Sequence, residues 1–299
     1  MTKIKKVGVV GCGLMGHGIV QVAAAGGFDV VALETKQEFL DKGLQRVEKS
    51  VAKFAAKAVE KGKATEEEAQ ANAAATLARI QGSTNLADLA DCDLVIEAIV
   101  EDLDVKKKLF ADLGRTCKPE TILASNTSSF PIGEMGAASG RAERMVGLHF
   151  FNPVQLMRLV EVVRADATDD EVFAAAKAFG EACGKAPVAC KDTPGFVVNR
   201  LLVPYMSQAL LMLERGDATK EDIDTAMQFG CGHPMGPLTL TDYVGLDTTL
   251  SILEGWVERY PDEPAFIIPK ILQDKVAAGK LGRKTGEGFY KWDGDRKVG

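Results

Sequence analysis

The stretch Gly11-Cys12-Gly13-Leu14-Met15-Gly16 decides the fold of this chain. It follows the apolar run Val7–Val10 and precedes an apolar segment with helical spacing, residues 19–25. A strand, a tight glycine turn and a helix in this order present backbone N–H groups and the positive end of the helix to a pyrophosphate. Glycines that only shape a turn are the alternative, but the context of strand and helix favours a dinucleotide site.

A second apolar run, Val30–Leu33, ends at the acidic residue Glu34. An acidic side chain at this distance after a glycine turn usually accepts a hydrogen bond from the 2′-hydroxyl of an adenosine ribose. A carboxylate there would repel the 2′-phosphate of NADP. The sequence therefore predicts that the cofactor is NAD.

Composition limits the class of protein. The chain has 299 residues, of which 46% are hydrophobic, and a formal net charge of −6, as expected for a soluble globular protein of about two domains. The acidic balance gives no reason to expect nucleic acid or a membrane surface as a partner. The six cysteines form no CxxC pair, which predicts reduced thiols and no metal centre. Because we find no long apolar span and no secretory leader, we expect a cytoplasmic protein.

The pattern of the chain changes near residue 190. Before it, short β-branched runs alternate with amphipathic segments, which is typical of a doubly wound parallel sheet with helices on both faces. The strands expected after the first two are residues 94–99, 121–125, 146–150 and 159–163, with helices near residues 105–116 and 169–182. We therefore predict an α/β Rossmann-type domain over residues 1–190.

The rest of the chain, residues 191–299, shows helical spacing that is broken by proline and glycine clusters. This pattern predicts an all-helical C-terminal domain. Its long apolar faces, such as Met206–Leu213, exceed what one small domain buries by itself. We therefore expect the protein to form a homodimer, since two-fold pairs are the commonest homo-oligomers.

Residues 36–81 interrupt the predicted sheet. They are rich in Ala, Lys, Glu and Gln and contain no strand-like run, and Gly62 with Thr65 divides them into two helices. We interpret them as a charged helical hairpin inserted into the nucleotide-binding domain. The hairpin is either a solvated surface or a basic arm that binds phosphate, and charge runs taken alone favour the solvated surface.

Only three histidines are available as an acid or base, and His149 is the best placed. It ends an apolar strand, and ligands bind at the carboxyl ends of strands in an open α/β sheet. A core histidine satisfied by its neighbours is an equally weighted alternative. His17 lies in the first turn after the glycine loop, where a structural role or a role beside the pyrophosphate is the safer interpretation. His233 lies in a rigid loop between glycine and proline residues of the helical part.

Glu161 interrupts an apolar strand and therefore needs a partner if it is buried. If its strand neighbours that of His149, the histidine can donate one ring N–H to Glu161 and use the other nitrogen as a base. The segment Ser125–Ser129 adds hydroxyls at the end of another strand. Ser and Asn also favour helix N-caps, and both interpretations of this segment can hold together.

A set of motifs occurs in one order along the chain: Gly11-x-Gly13-x-x-Gly16, Glu97-Ala98-Ile99-Val100-Glu101, Ser125-Asn126-Thr127-Ser128-Ser129, His149-Phe150-Phe151-Asn152-Pro153, Asp192-Thr193-Pro194-Gly195-Phe196-Val197-Val198-Asn199-Arg200, Pro234-Met235-Gly236-Pro237 and Gly286-Glu287-Gly288-Phe289-Tyr290. This ordered set resembles the 3-hydroxyacyl-CoA dehydrogenase family, close to its short 3-hydroxybutyryl-CoA type, over essentially the whole chain.

The resemblance implies an NAD-dependent oxidoreductase that interconverts (S)-3-hydroxyacyl-CoA and 3-oxoacyl-CoA across a cleft between the two domains. It implies that His149 is the catalytic base, that Glu161 is its carboxylate partner, and that Ser128 and Asn199 hold the substrate. The residues that it places around NAD are Gly11, Gly13, Leu14, Met15, Gly16, Glu34, Glu101, Lys106, Asn152 and Lys284.

The resemblance also places Ser50 and Lys57 near the coenzyme A moiety. Lys53 lies one turn before Lys57, so both ammonium groups can share a face of the helix. On this basis the inserted hairpin is expected to bind phosphate, which reverses the preference from charge alone.

The chain departs from many relatives at three positions. Many carry Asp where this chain has Glu34, Ala where it has His17, and Leu where it has Phe130. Two other functions stay open: a structural protein on the same scaffold, as in the lens crystallins that resemble this family, and a dehydrogenase of a free 3-hydroxy acid. Loss of His149 or Glu161 would favour the first, and both are present. The basic hairpin argues against the second.

Overall fold

The computed structural model describes residues 3–298. They form two compact units that divide between Phe196 and Val197. Over the described residues, no helix combines the length and the apolar character needed to cross a bilayer.

An eight-stranded sheet forms the centre of the first unit. Its strands are β1 (Lys6–Val10), β2 (Asp29–Leu33), β3 (Ile80–Ser83), β4 (Leu94–Glu97), β5 (Ile122–Ser125), β6 (Met145–Phe150), β7 (Leu159–Arg164) and β8 (Ala186–Lys191). Their spatial order is β3-β2-β1-β4-β5-β6-β7-β8. The first six strands are parallel, so their carboxyl ends lie along one edge of the sheet.

Helices cover both faces of this sheet. They are α1 (Gly16–Ala25), α2 (Gln37–Glu60), α3 (Glu66–Ala78), α4 (Leu103–Thr116), α5 (Ile132–Ser139) and α6 (Asp170–Ala182). Side chains that alternate along a strand enter different cores: Leu94 and Ile96 pack in the cluster that includes residues of α1 and α6. Val95 packs with residues of α4 and α5 on the other face. The predicted doubly wound α/β class is confirmed.

The direction of the last two strands corrects the sequence interpretation. A wholly parallel sheet was expected, but β7 runs antiparallel to β6, and β8 runs parallel to β7. The connection between β6 and β7, residues 151–158, contains no helix. A parallel return needs a crossover of about a dozen residues or more, so this short connection makes the chain turn back.

The edge strands β3 and β8 and the short helix α5 were not predicted. β3 begins at Ile80, inside the range assigned to the hairpin, and it carries one large apolar residue. β8 is largely exposed and contains Pro187, which an edge strand tolerates because its outer N–H groups have no ladder partner. Edge positions bury little, so these strands lack the continuous apolar pattern of β1 or β6.

The inserted hairpin consists of α2 and α3. Gly62 between them has φ +63°, a left-handed conformation that favours glycine. Thr65 caps α3: its hydroxyl accepts from the Glu68 N–H at 3.2 Å, and the Glu68 carboxylate accepts from the Thr65 N–H at 2.8 Å. The turn therefore ends one helix and starts the next within a few residues.

The described residues of the second unit form five α-helices: α7 (Val198–Arg215), α8 (Lys220–Cys231), α9 (Pro237–Val244), α10 (Leu246–Arg259) and α11 (Lys270–Ala277). The predicted helical C-terminal domain is confirmed. In addition to its helices, β9 (Trp292–Asp293) and β10 (Arg296–Lys297) pair as short antiparallel strands, which were not predicted. The buried Asp242 holds the chain before β9 by accepting from the N–H groups of Phe289 and Tyr290 and from Nε1 of Trp292. Three buried donors thus share one carboxylate.

Candidate functional site

The glycine loop after β1 has no room for side chains at its first and third glycines. Gly11 has φ +92°, and a Cβ atom there would lie 2.6 Å from the Ala98 carbonyl oxygen. A Cβ atom on Gly16 would lie 1.7 Å from the Gly11 carbonyl oxygen. At Gly13, by contrast, a Cβ atom would meet nothing within 4 Å. Protein atoms therefore occupy the space beside Gly11 and Gly16, whereas the space beside Gly13 is open, and a side chain there would fill the space of a ligand.

The N-terminus of α1 faces the solvent side of this loop without a side-chain cap from the described residues. His17, in the first turn, donates from Nδ1 to the Gly13 carbonyl at 2.8 Å. This bond ties the Gly13 carbonyl to the first turn of α1. Uncapped N–H groups with a positive helix end suit a pyrophosphate. Leu14, which is 66% exposed, and Met15 flank the same opening.

Glu34 follows β2 beside the glycine loop. Its carboxylate accepts from the Cys12 N–H at 2.7 Å and from the Thr35 N–H at 3.2 Å. A cavity of about 180 Å³ opens at Glu34, and its apolar walls include Leu33, Leu86 and Ile99. Apolar walls with one carboxylate at the glycine loop match the needs of an adenosine: the ring packs, and the carboxylate accepts from ribose hydroxyls.

His149 and Glu161 are direct partners across β6 and β7. Nδ1 of His149 lies 2.7 Å from Oε2 of Glu161, and the two residues are 6% and 0% exposed. Since a carboxylate only accepts, Nδ1 carries the proton, and Nε2 is left with its lone pair. The structure thus brings together the two residues that the sequence paired, and it leaves one imidazole nitrogen free to act as a base.

Aromatic side chains enclose the His149 ring. The centroids of Phe151 and Phe196 lie 4.4 Å and 5.6 Å from its centroid. Phe196 has φ +54°, a conformation that costs a bulky residue about 1–3 kcal/mol and that persists where the surroundings impose it. The rings keep water from the imidazole and restrict its rotation.

The segment after β5 is wrapped around the Glu101 carboxylate. One oxygen, Oε1, accepts from the hydroxyls of Thr127 at 2.6 Å and Ser129 at 2.9 Å, and from the Ser128 N–H at 3.2 Å. The other, Oε2, lies 3.1 Å from Nζ of Lys106. Glu101 therefore sets the position of Ser128.

A second, buried carboxylate supports this arrangement. Nζ of Lys106 donates to Oε1 of Glu97 at 2.6 Å, and the Ser125 hydroxyl donates to Oε2 at 2.6 Å. Glu97 and Ser125 are 0% exposed and Lys106 is 1% exposed. Partial burial raises the pKa of Glu101, but Lys106 and the hydroxyls of Thr127 and Ser129 outweigh it, so that this pKa lies below its usual value. Lys106 is thus enclosed by two carboxylates, Glu97 and Glu101.

Sequence reasoning assigned no role to Glu97 or Asn126. Asn126 joins three strands: its backbone N–H donates to the Glu97 carbonyl at 2.9 Å, and its side-chain oxygen accepts from the Phe150 N–H at 2.9 Å. The signal for Glu97 was available, because it ends the apolar run of β4 as Glu161 interrupts that of β7. A buried acid at a strand end should have been given a partner.

Asn152 lies on the connection between β6 and β7, and it is exposed. Its loop is held against α1, where Val154 packs so closely that a Cβ atom on Gly18 would lie 2.7 Å from the Val154 Cβ. Nζ of Lys185 donates to the carbonyls of Val154 and Met157 and closes the loop from the other side. Asn152 is thereby kept close to the first turns of the helix that follows the glycine loop.

The predicted coenzyme A residues lie on α2. Ser50 is half-buried, and Lys53 and Lys57 are exposed. Within residues 3–298, neither ammonium has a carboxylate within 4 Å, so both charges are available to a ligand. Gly43 lies on the same side of α2 as these residues, and a Cβ atom there would lie 2.5 Å from the Cys12 Sγ in the glycine loop. This side of α2 therefore begins at the glycine loop and continues along the hairpin.

Asn199 and Lys284 belong to the second unit. Asn199 is half-buried in the first turn of α7, and Nζ of Lys284 lies 2.6 Å from the Asp247 carboxylate. Their participation in the site stays a prediction.

Both units match families of known proteins. Residues 6–193 match the family described as 3-hydroxyacyl-CoA dehydrogenase, NAD binding domain, and residues 195–292 match 3-hydroxyacyl-CoA dehydrogenase, C-terminal domain. The chain is 50% identical over 291 residues to the mitochondrial hydroxyacyl-coenzyme A dehydrogenase of Rattus norvegicus, across 97% of this chain and 91% of the relative. It is 50% identical over 287 residues to a probable 3-hydroxybutyryl-CoA dehydrogenase of Deinococcus radiodurans, across 96% and 100%.

A solved structure is similar over the same length. The crystal structure of an (S)-3-hydroxybutyryl-CoA dehydrogenase from Ralstonia eutropha has a TM-score of 0.90 and 41% identity, and the match covers 97% of this chain and 100% of that one.

Proposed function

The chain belongs to the 3-hydroxyacyl-CoA dehydrogenase family, and from this premise we propose that it is an NAD-dependent enzyme that interconverts (S)-3-hydroxyacyl-CoA and 3-oxoacyl-CoA. The observation that carries the proposal is the buried pair of His149 and Glu161 at the edge of the sheet where the glycine loop opens. Relatives named for 3-hydroxybutyryl-CoA support a short acyl chain, with acetoacetyl-CoA as the oxidised partner.

The residues of the glycine loop fit NAD. Gly13 leaves space for the pyrophosphate, the N-terminus of α1 supplies N–H groups, and Glu34 accepts from the adenosine ribose. Bound NAD supplies the acceptor for the hydride that leaves C3 of the hydroxyacyl group. The remaining chemistry is a proton transfer, which the protein itself must provide.

His149 provides this proton transfer. In the oxidative direction Nε2 takes the proton from the C3 hydroxyl, and in the reductive direction it returns it. Glu161 keeps the proton on Nδ1 and stabilises the imidazolium at 2.7 Å. Ser128, positioned by Glu101, is proposed to donate its hydroxyl to the substrate oxygen. Asn199 is proposed to hold the same region of the substrate.

The hairpin is proposed to bind the nucleotide end of coenzyme A. Lys53 and Lys57 lie on one face of α2 beside Ser50, and among the described residues neither has a carboxylate partner. Remote binding energy of this kind positions the reacting carbon, so its loss lowers kcat as well as raising KM.

The test compares Lys57→Ala and Ser50→Ala with Glu48→Ala, which removes an exposed charge from the opposite face of the same helix. We expect the first two variants to impair acetoacetyl-CoA reduction while NADH affinity stays unchanged, and Glu48→Ala to behave like the wild type. Acetoacetate and a truncated pantetheine thioester serve as further substrates. If the wild type reduces all three with similar kcat/KM, the coenzyme A assignment is wrong and a free 3-hydroxy acid becomes the substrate.

We also propose a homodimer that forms through the second unit. Several large apolar side chains of this unit are exposed, including Phe229 at 87% and Leu201 at 69%. Light scattering at micromolar concentration should give the mass of a dimer, and a monomer mass would contradict the proposal.

A cytoplasmic location is proposed as well. All six cysteines are free thiols, which suits a reducing compartment. Cell fractionation followed by immunoblotting tests this location, and recovery of the protein outside the cytoplasmic fraction would contradict it.

A further inference from the structure

Two carboxylates and one ammonium form a connected group at the ends of β4 and β5. Lys106 lies between Glu97 at 2.6 Å and Glu101 at 3.1 Å. Within the described residues, no other cation lies within 4 Å of either carboxylate. Two carboxylates and one ammonium give the group a formal net charge of −1.

Holding the Ser128 segment in place does not require this charge. The three donors on Oε1 of Glu101 are two hydroxyls and one backbone N–H, all neutral, and a glutamine oxygen would accept from them equally well. Burial of Glu97 and Lys106 costs free energy that neutral hydrogen bonds would not. A structural role alone thus does not account for the charges.

The position of the group suggests what the charge acts on. In the order of the sheet, β4 and β5 lie between β1, which carries the glycine loop, and β6, which carries His149. A dinucleotide with its adenosine at Glu34 and its reactive ring beside His149 must pass over the ends of β4 and β5. Glu97 and Lys106 are enclosed, whereas the Glu101 side chain is 40% exposed, so Glu101 is the member of the group that a ligand can reach.

We propose that Glu97, Lys106 and Glu101 together set the relative affinity of the protein for the oxidised and the reduced cofactor. The nicotinamide ring carries a positive charge in NAD⁺ and none in NADH. A net negative charge beside its path stabilises the oxidised form and has little effect on the reduced form. Glu97 is a positioning residue: it touches no ligand, and it acts by holding Lys106 and by adding the second negative charge. The inference rests on the proposed NAD-dependent function.

The test measures cofactor binding without substrate. Dissociation constants of NADH, by fluorescence, and of NAD⁺, by calorimetry, are compared for the wild type, Glu97→Gln and Glu101→Gln. Each substitution keeps an accepting oxygen and makes the group neutral. The ratio Kd(NAD⁺)/Kd(NADH) should rise about tenfold, which corresponds to one charge acting over ~12 Å at an effective dielectric constant of ~20. Asp104→Asn, which removes an exposed charge from the first turn of α4, is the matched control and should leave the ratio unchanged.

Two results would overturn the inference. An unchanged ratio in Glu97→Gln, with both forms bound more weakly, would show that Glu97 only supports the loop. A rise of the same size in Asp104→Asn would show that the effect comes from the general surface charge. If Glu97→Gln does not fold, the ratio in Glu101→Gln decides, because Glu101 lies at the exposed end of the group. A wild type that binds neither NADH nor NAD⁺ would refute the proposed function itself, together with this inference.

Discussion

Replacement of Glu161 by glutamine isolates the contribution of one charge to catalysis. Glu161 is 0% exposed, and its Oε2 lies 2.7 Å from Nδ1 of His149. Glu161→Gln keeps the volume of the side chain and an oxygen that accepts from Nδ1, so the fold and the orientation of the ring should persist. The substitution removes the stabilisation of the positive charge that His149 acquires in its proposed role as the acceptor of the substrate proton.

The expected loss follows from Coulomb's law. Two unit charges about 4 Å apart attract by about 4 kcal/mol at an effective dielectric constant of about 20. With about half of the imidazolium charge developed in the transition state, the variant loses about 2 kcal/mol, or about 30-fold in kcat. NADH affinity should not change, because Glu161 contacts His149 rather than the glycine loop.

The assay is a single-turnover reduction of acetoacetyl-CoA, followed by NADH absorbance, so that product release does not mask the chemical step. Glu171→Gln is the matched control: the same substitution at an exposed carboxylate, paired with Arg144. Circular dichroism and thermal unfolding report whether the variants fold. A folded Glu161→Gln enzyme with a rate within twofold of the wild type would refute the role of Glu161. A parallel loss of NADH affinity would mean that the carboxylate supports the structure instead.

Further predictions concern the glycine loop, its neighbouring acid and its cysteine. Gly13→Ala should keep the melting temperature and lose about tenfold or more in NADH affinity, because the new Cβ enters only the space of the ligand. Gly16→Ala should lose stability as well, because its Cβ would clash with the Gly11 carbonyl. Equal melting temperatures of the two variants would contradict this distinction. Glu34 should give a strong preference for NAD(H), and comparable kcat/KM values with NADP(H) would show that its carboxylate does not repel a 2′-phosphate. Burial raises the pKa of the Cys12 thiol to about 12, so iodoacetamide at mildly alkaline pH should alkylate the exposed Cys231 and spare Cys12. Mass spectrometry of tryptic peptides measures the two modifications, and faster alkylation of Cys12 would contradict the prediction.

Local patterns were enough to predict the core of the site. The glycine turn is a pattern of consecutive residues, and buried strands such as β1 and β6 consist mainly of apolar residues in one run. Glu161 was recognisable because a charge within such a run needs a partner, and the structure provides His149 across the pair. These features depend on residues close in sequence or on a single strand pair.

Features that depend on distant contacts could not be predicted in the same way. The reversal at β7 follows from the absence of a helix in residues 151–158, which amphipathic spacing alone did not reveal. Lys106 occupies one position of an ordinary amphipathic helix, and only the fold shows that it is 1% exposed between two carboxylates. The sequence alone therefore predicts a solvated lysine at this position of α4, and its burial becomes evident only from its contact with Glu97 at the end of β4.

Because β6 and β7 pair as antiparallel strands, the contact between the proposed catalytic residues depends on the number of residues within each strand. His149 and Glu161 face each other because both stand at matching positions of two alternating strands. Loss of a single residue inside either strand would turn one of the two side chains to the opposite face of the sheet. Extra residues in the connection, 151–158, would leave both in place. Evolution of this enzyme can therefore vary the length of the connection while the strands on either side keep their length, and an alignment of related sequences should show gaps in the first and none in the second.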